Sequence, residues 1–162
     1  MAHCNRVVLS AFSFNTKNTN SKELTGGDWS LEWKHKKKLE KNTFIVDFET
    51  YIMHSLPEEY KTCMLLNNGG RPSQNRFRIK SGEERVIKTF LSFNPYDKET
   101  IWTAWLDCPI NCVPIACDNS GNYILLQYDA NRDKPCVVFL NHKTYEIEYI
   151  SDDYTSFIDN LY

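Results

Sequence analysis

No stretch of this sequence stays apolar for the roughly 20 residues that a bilayer-spanning helix needs. Its first apolar run, Val7-Val8-Leu9-Ser10-Ala11-Phe12, is shorter than the core of a cleaved signal peptide. The two absences argue against a membrane-embedded or signal-exported protein. Positive charge is not in excess either, with 19 Lys+Arg against 21 Asp+Glu and a formal net charge of −2. Proteins that bind nucleic acid or membrane surfaces in general carry a strong basic excess, so both classes are disfavoured. The sequence also lacks a G-x-S-x-G elbow, a G-x-x-x-x-G-K-[ST] phosphate loop and an H-E-x-x-H helix, which leaves the familiar hydrolase and nucleotide-binding routes without support. The 6 cysteines come without a secretion signal and read as reduced thiols rather than as a disulfide framework, which places the expected location in the cytoplasm.

What is present is an ordinary globular composition. A chain of 162 residues, 41% hydrophobic and 25% charged, has the size of one domain and enough apolar surface for a core. Aromatic residues reach 14%, so large rings should dominate its burial energetics. Charge is uneven along the chain: residues 1–117 hold 16 Lys/Arg against 13 Asp/Glu, and residues 118–162 hold 3 against 8. An acidic C-terminal third offers a complementary face to a basic partner.

Residues 1–42 are poorly patterned, with the polar stretch Asn15-Thr16-Lys17-Asn18-Thr19-Asn20-Ser21 and a Gly26-Gly27 break, and a loosely ordered segment is expected there. The basic run Lys34-His35-Lys36-Lys37-Lys38 reads as the solvated side of a helix start. From Thr43 the pattern is helical: Phe44, Phe48 and Ile52 recur at four-residue spacing and Ile45 widens the stripe, leaving Asp47 and Glu49 in water. Ser55-Leu56-Pro57-Glu58 matches a capping box for a second helix that turns Tyr60, Cys63 and Met64 inward, with Leu66 at the margin, and stops at Asn67-Asn68-Gly69-Gly70.

Phe77-Arg78-Ile79 and Val86-Ile87-Lys88-Thr89-Phe90-Leu91 read as strands. Asn94-Pro95 suggests entry into a third helix lined by Ile101, Trp102 and Trp105 and ending near Cys108-Pro109. Four further extended runs follow, centred on Ile115, Leu125, Val138 and Glu148, with short turns that imply antiparallel pairing. Ser151-Asp152 is placed to cap a last helix bearing Tyr154, Phe157, Ile158 and Leu161. Helices on both sides of a strand block make the fold class α+β: a single domain, with a mostly antiparallel or mixed sheet flanked by helices.

Taken in order, these landmarks carry a resemblance. Leu56-Pro57-Glu58-Glu59-Tyr60 followed by Asn68-Gly69-Gly70 is similar to the LP…Y…NGG signature of the SUKH superfamily, which includes the yeast Smi/Knr type of cell-wall assembly regulator and many bacterial immunity proteins. Pro114-Ile115-Ala116-Cys117-Asp118-Asn119-Ser120-Gly121-Asn122 looks like the family's PIA-x-D-x-x-GN segment. Val138-Phe139-Leu140-Asn141-His142 resembles its V-x-F-x-D-H strand end, with Asn141 in place of the usual acid. Ile150-Ser151-Asp152-Asp153-Tyr154 continues into a last-helix entry of the family type. The resemblance covers residues 43–162, the expected SUKH-like domain. It implies a mixed sheet ringed by helices and a cleft that binds a protein, and the residues themselves show no catalytic machinery, so no enzyme is expected. It implies cytoplasmic immunity proteins that neutralise toxin domains, often nucleases, or else a regulatory scaffold of the Smi/Knr type that engages an endogenous partner.

The residues themselves offer little chemistry to set against that reading. Cys108, Cys112 and Cys117 with His142 are the one set worth testing as zinc ligands, but spacings of four and five residues miss the usual paired knuckle, and small buried cysteines are common in cores. Cys117 with His142 and Asp118 or Asp152 is the only thiol constellation that can be assembled, and nothing nearby marks Cys117 as a nucleophile. No metal, cofactor, small-molecule substrate, membrane or direct nucleic-acid contact is expected. For a protein interface, aromatic anchors and complementary charge point to Trp102, Trp105, Asp129, Asp133, Glu146 and Glu148.

Overall fold

The computed structural model describes residues 31–162. The polar stretch 15–21, expected to be loosely ordered, and the apolar run 7–12 lie outside the described residues. In chain order the elements are β1 (Trp33–Lys34), α1 (Thr43–Ile52), α2 (Glu58–Asn67), β2 (Arg71–Pro72), β3 (Arg76–Arg78), β4 (Glu84–Val86), β5 (Thr89–Phe90), α3 (Ile101–Ala104) continued by a 3-10 turn (Trp105–Asp107), β6 (Cys112–Cys117), β7 (Tyr123–Gln127), β8 (Cys136–Leu140), β9 (Ile147–Ser151) and α4 (Tyr154–Asp159). The main sheet has five strands in the order β5-β6-β7-β8-β9, antiparallel at every pairing, so the choice between mixed and antiparallel resolves to the latter. Two short ribbons, β1-β2 and β3-β4, accompany it, and the class is α+β as expected.

Strands β7 and β8 are apolar almost throughout and carry buried residues on both faces of the sheet. On one face Ile124 lies opposite Phe139 and Leu126 opposite Val137. These residues join the main core with Ile45, Phe48 and Ile52 of α1, Tyr60 and Met64 of α2, and Tyr154 and Phe157 of α4. On the other face Leu125 and Val138 pair, and with Cys112, Cys136 and Leu140 they form a second, smaller cluster against which Cys108 and Tyr123 pack. A slip of one residue would exchange the two sets, so this burial also specifies the register.

Several local expectations give way to longer-range contacts. The capping box does not form: α2 starts at Glu58 with Pro57 at the N-cap and no side-chain cap. The Leu56 N–H instead donates to Oε1 of Glu49 at 2.7 Å, the Ser55 carbonyl accepts from the Tyr128 hydroxyl at 2.8 Å, and Glu58 pairs with Lys61 at 2.6 Å. Glu49 is therefore not in water; its side chain is 16% exposed and also reaches Lys61 at 3.1 Å. Leu66 points outward at 74% exposure, because Tyr60 and Met64 define the inward face and a residue two positions beyond Met64 falls on the opposite side.

Asn94-Pro95 does not open a helix. The Asn94 side chain holds the preceding chain, donating to the Lys38 carbonyl and accepting from the Glu40 N–H, each at 3.0 Å, and α3 begins only after Thr100. The run 86–91 splits between β4 and β5, which belong to different sheets. The last helix is capped by Asp153, whose Oδ1 accepts from the Ser156 N–H at 2.8 Å, because β9 runs on to Ser151 and leaves Asp152 free to pair with Arg132.

The basic run at Lys34–Lys38 is no helix start either. Lys34 ends β1, His35 turns the backbone at φ 55, and the Lys37 N–H donates to the Asn68 carbonyl at 2.8 Å. Residues 31–42 are thereby bound to the rest of the domain: β1 pairs with β2, and the Trp33 ring meets Phe90 edge-on at 5.0 Å. Gly70 makes this closeness possible, since a Cβ there would lie 2.9 Å from the Asn67 carbonyl oxygen and 3.3 Å from the Trp33 ring.

Candidate protein-binding groove

Strand side chains alternate between faces, so Gln127 of β7, Cys136 and Val138 of β8, and Ile147 and Tyr149 of β9 come up on the side of the sheet away from α1. They border a shallow depression of about 700 Å³ whose rim adds Lys80, Arg132 and Glu148. A second depression, about 380 Å³, adjoins it through Gln127, Arg132 and Cys136 and is bordered by Ile110 and Asp129. A third, about 390 Å³, continues from Tyr128, Asp129 and Arg132 to Leu56 and Pro57 before α2. Arg132 lines all three, and they adjoin as one groove that is apolar at Ile147 and Tyr149 and at Pro57 and Tyr128, and polar between them at Asn111, Gln127 and Asp129.

Rim charges are mostly matched within the chain. Arg132 reaches Asp152 at 2.8 Å, and that hydrogen bond is the main reason the Asp152 carboxyl titrates below its usual range. Lys134 lies 3.4 Å from Glu59, whose carboxyl is lowered first by a backbone hydrogen bond and then by Lys134. Tyr128, half-buried, is fixed by its bond to Ser55 and by a stacked His54 ring at 4.6 Å, and burial raises its hydroxyl well above the ordinary value.

The residues expected at an interface do not come together as one patch. Asp129 and Asp133 share the β7–β8 loop and both border the third depression. Glu148 borders the first, where its Oε2 accepts from the Ser81 N–H at 3.3 Å. Glu146 sits at the opposite end of β8, accepting from the Thr144 hydroxyl at 2.9 Å. Trp102 and Trp105 belong to the helical layer. The Trp102 indole donates to the Phe93 carbonyl at 2.8 Å and its ring meets Phe48 at 5.1 Å, and Trp105 packs on Tyr51 at 5.3 Å. Sequence reasoning missed Tyr128, Arg132, Ile147 and Tyr149; the alternation Ile147-Glu148-Tyr149 was the available signal, since two apolar residues there share the open face of an edge strand.

Reactive chemistry finds little foothold. Burial, the largest cause in each case, pushes the Cys108 thiol up to about 12 and those of Cys112 and Cys117 up to about 11. Thiols so raised are protonated near neutrality and are poor nucleophiles. Nδ1 of His142 lies 2.9 Å from the Asn122 side-chain oxygen. Among the described residues no group of three His, Cys, Asp or Glu is placed to hold a metal ion, and no helix is long and apolar enough to cross a membrane.

The model of a family described as SMI1-KNR4 cell-wall, within the SUKH group, matches residues 42–158. The chain belongs to the SUKH superfamily. No curated protein and no solved structure matches it. The SUKH motifs occupy joints of the fold. Asn68 of the NGG element donates to Ser92 Oγ at 2.9 Å and accepts from the Phe93 N–H at 2.8 Å, tying the end of α2 to the segment after β5. Asp118 accepts from the N–H groups of Ser120 and Asn122 at 2.8 and 2.9 Å and from the Asn122 amide at 2.8 Å, while Gly121 supplies φ +83. Asn141, where SUKH proteins usually carry an acid, accepts from the N–H groups of Lys143 and Thr144 at 3.0 and 3.3 Å. Its amide oxygen thus closes the turn as a carboxylate oxygen would.

Proposed function

We propose that this SUKH protein acts without catalysis, in the cytoplasm, by binding a toxin domain in the sheet-face groove and neutralising it by covering its active site or substrate surface. The observation that carries the reading is the open apolar surface of the groove: Ile110 is 91% exposed, and Ile147 and Tyr149 are 38% and 39% exposed, around an otherwise buried sheet. Uncovered apolar side chains set in a concave, polar-rimmed surface are characteristic of protein-binding sites. The protonated, buried thiols support a non-catalytic role.

A second reading, a regulatory scaffold of the Smi/Knr type with an endogenous partner, draws on the cell-wall description of the matched family. Both readings are tested by co-expressing the chain with a toxin-like C-terminal domain encoded beside it. Restored growth, a one-to-one complex, and loss of both on Tyr149→Asp in a protein that still folds are the expected results. Stoichiometric recovery of endogenous regulators alone, with no protection from the toxin domain, would replace immunity with the scaffold reading.

A further inference from the structure

We infer that the end of the groove between the β7–β8 loop and the start of α2 receives a lysine- or arginine-bearing segment of the partner; the inference rests on the protein-binding reading above. Around this end the cations already have acids: Arg132 has Asp152 at 2.8 Å, Lys134 has Glu59 at 3.4 Å, and Lys61 has Glu58 at 2.6 Å and Glu49 at 3.1 Å. Among the described residues no cation lies within ion-pair distance of Asp129 or Asp133, which border the same depression. The local surplus is therefore negative, and it lies at a groove rather than on a featureless surface.

Asp129 is also set in place before any partner arrives. Its Oδ1 accepts from the Asn131 N–H at 2.9 Å and from the Asn131 amide at 3.2 Å, and the Arg132 N–H closes the turn on the Asp129 carbonyl at 3.0 Å. Oδ2 has no hydrogen-bond partner among the described residues. A carboxylate fixed in this way loses little side-chain freedom when a cation binds it. Beside it, the half-buried Pro57, Tyr128 and Pro135 form an apolar wall suited to the methylene stem of a lysine or arginine, whose charged head then meets Asp129 and Asp133. An acidic occupant would bring like charges together with both sides desolvated, which disfavours it.

The test uses the full chain, labelled with ¹⁵N, and three synthetic peptides of equal length that alternate leucine with lysine, glutamate or serine. The lysine peptide is expected to shift the amides of residues 55–59 and 127–135, with affinity falling as salt is added. The double variant Asp129→Asn and Asp133→Asn, which keeps the turn and removes the charge, is expected to weaken it about tenfold. If the glutamate or serine peptide occupies the groove equally well, or the lysine peptide shifts only other amides, the charge inference falls while the protein-binding reading stands. If no peptide of any charge perturbs the groove, both fall. Concentration-dependent shifts of the same amides without peptide would place a second copy of the chain there and overturn the inference.

Discussion

Glu49 shows how much one side chain of unremarkable type can hold. It lies on α1, yet its carboxylate satisfies the Leu56 N–H at 2.7 Å and pairs with Lys61 at 3.1 Å, so it bridges the two helices and closes the turn between them. Glu49→Ala leaves a backbone donor unmet in a poorly hydrated place and should cost about 2 kcal/mol in urea unfolding, whereas Glu49→Gln keeps an acceptor and should cost less. Asp153 offers a test in pH. Hydrogen bonds from Ser156 hold its carboxyl below the usual range in the folded state, so its contribution is complete above the unfolded value of about 3.9 and is lost as pH falls through the lower folded value. Asp153→Asn should preserve the cap at pH 7 and flatten the loss of stability in acid, while Asp153→Ala should lose about 1 kcal/mol at pH 7. Denaturant midpoints at pH 7 and pH 3 separate the two outcomes.

Among the elements, the long and strongly patterned ones were legible and the short ones were not. The stripe of α1 and the apolar runs of β7 and β8 name their own partners, because burial on one face or on both leaves a clear period. By contrast β1 and β2 are two residues each and owe their existence to each other, so no local pattern announces them, while β5 was read only as part of one run that also held the end of β4. The capping box failed for a related reason: α2 starts only at Glu58, the Glu49 carboxylate takes the Leu56 N–H ahead of it, and Glu58 turns to Lys61 instead. The groove was less legible still, since Leu56, Tyr128 and Tyr149 come from three separate stretches of chain. Trp102 and Trp105 suggested interface anchors because large rings dominate interfaces and cores alike, and a sequence does not say which of the two a ring serves. The contact of β1 with the end of α2 has a direct test in Gly70→Val. It puts side-chain atoms where the Asn67 carbonyl and Trp33 ring already stand, so amides of residues 31–42 should exchange faster with solvent while those of β7 and β8 keep their protection.

At the scale of the whole molecule, the acidic C-terminal third is less available than its count suggests. Asp118 and Asp153 hold local backbone, and Asp152 holds Arg132, so much of that charge stabilises turns and caps and only part of it faces outward. The segment before α1 is likewise part of the packed body. A chain starting at residue 43 loses the Trp33–Phe90 contact, the Lys37–Asn68 hydrogen bond and both bonds from Asn94. It should unfold at a clearly lower urea concentration than one starting at residue 31, and equal midpoints would show that the arm adds nothing to stability.

The strand order of the main sheet also bears on how fast the protein forms. From β6 to β9 each strand hydrogen-bonds to the one before it in the chain, so every pairing closes only the segment between consecutive strands, the longest being that between β5 and β6, where α3 intervenes. Short closures cost little chain entropy and favour quick zipping from hairpin to hairpin. The mutual backbone bonds between Arg76 and Tyr162, at 3.0 and 3.1 Å, join residues far apart in the chain and close a much longer loop than any strand pairing within the main sheet. Folding kinetics should therefore show the sheet core gaining protection first and this last clasp locking late.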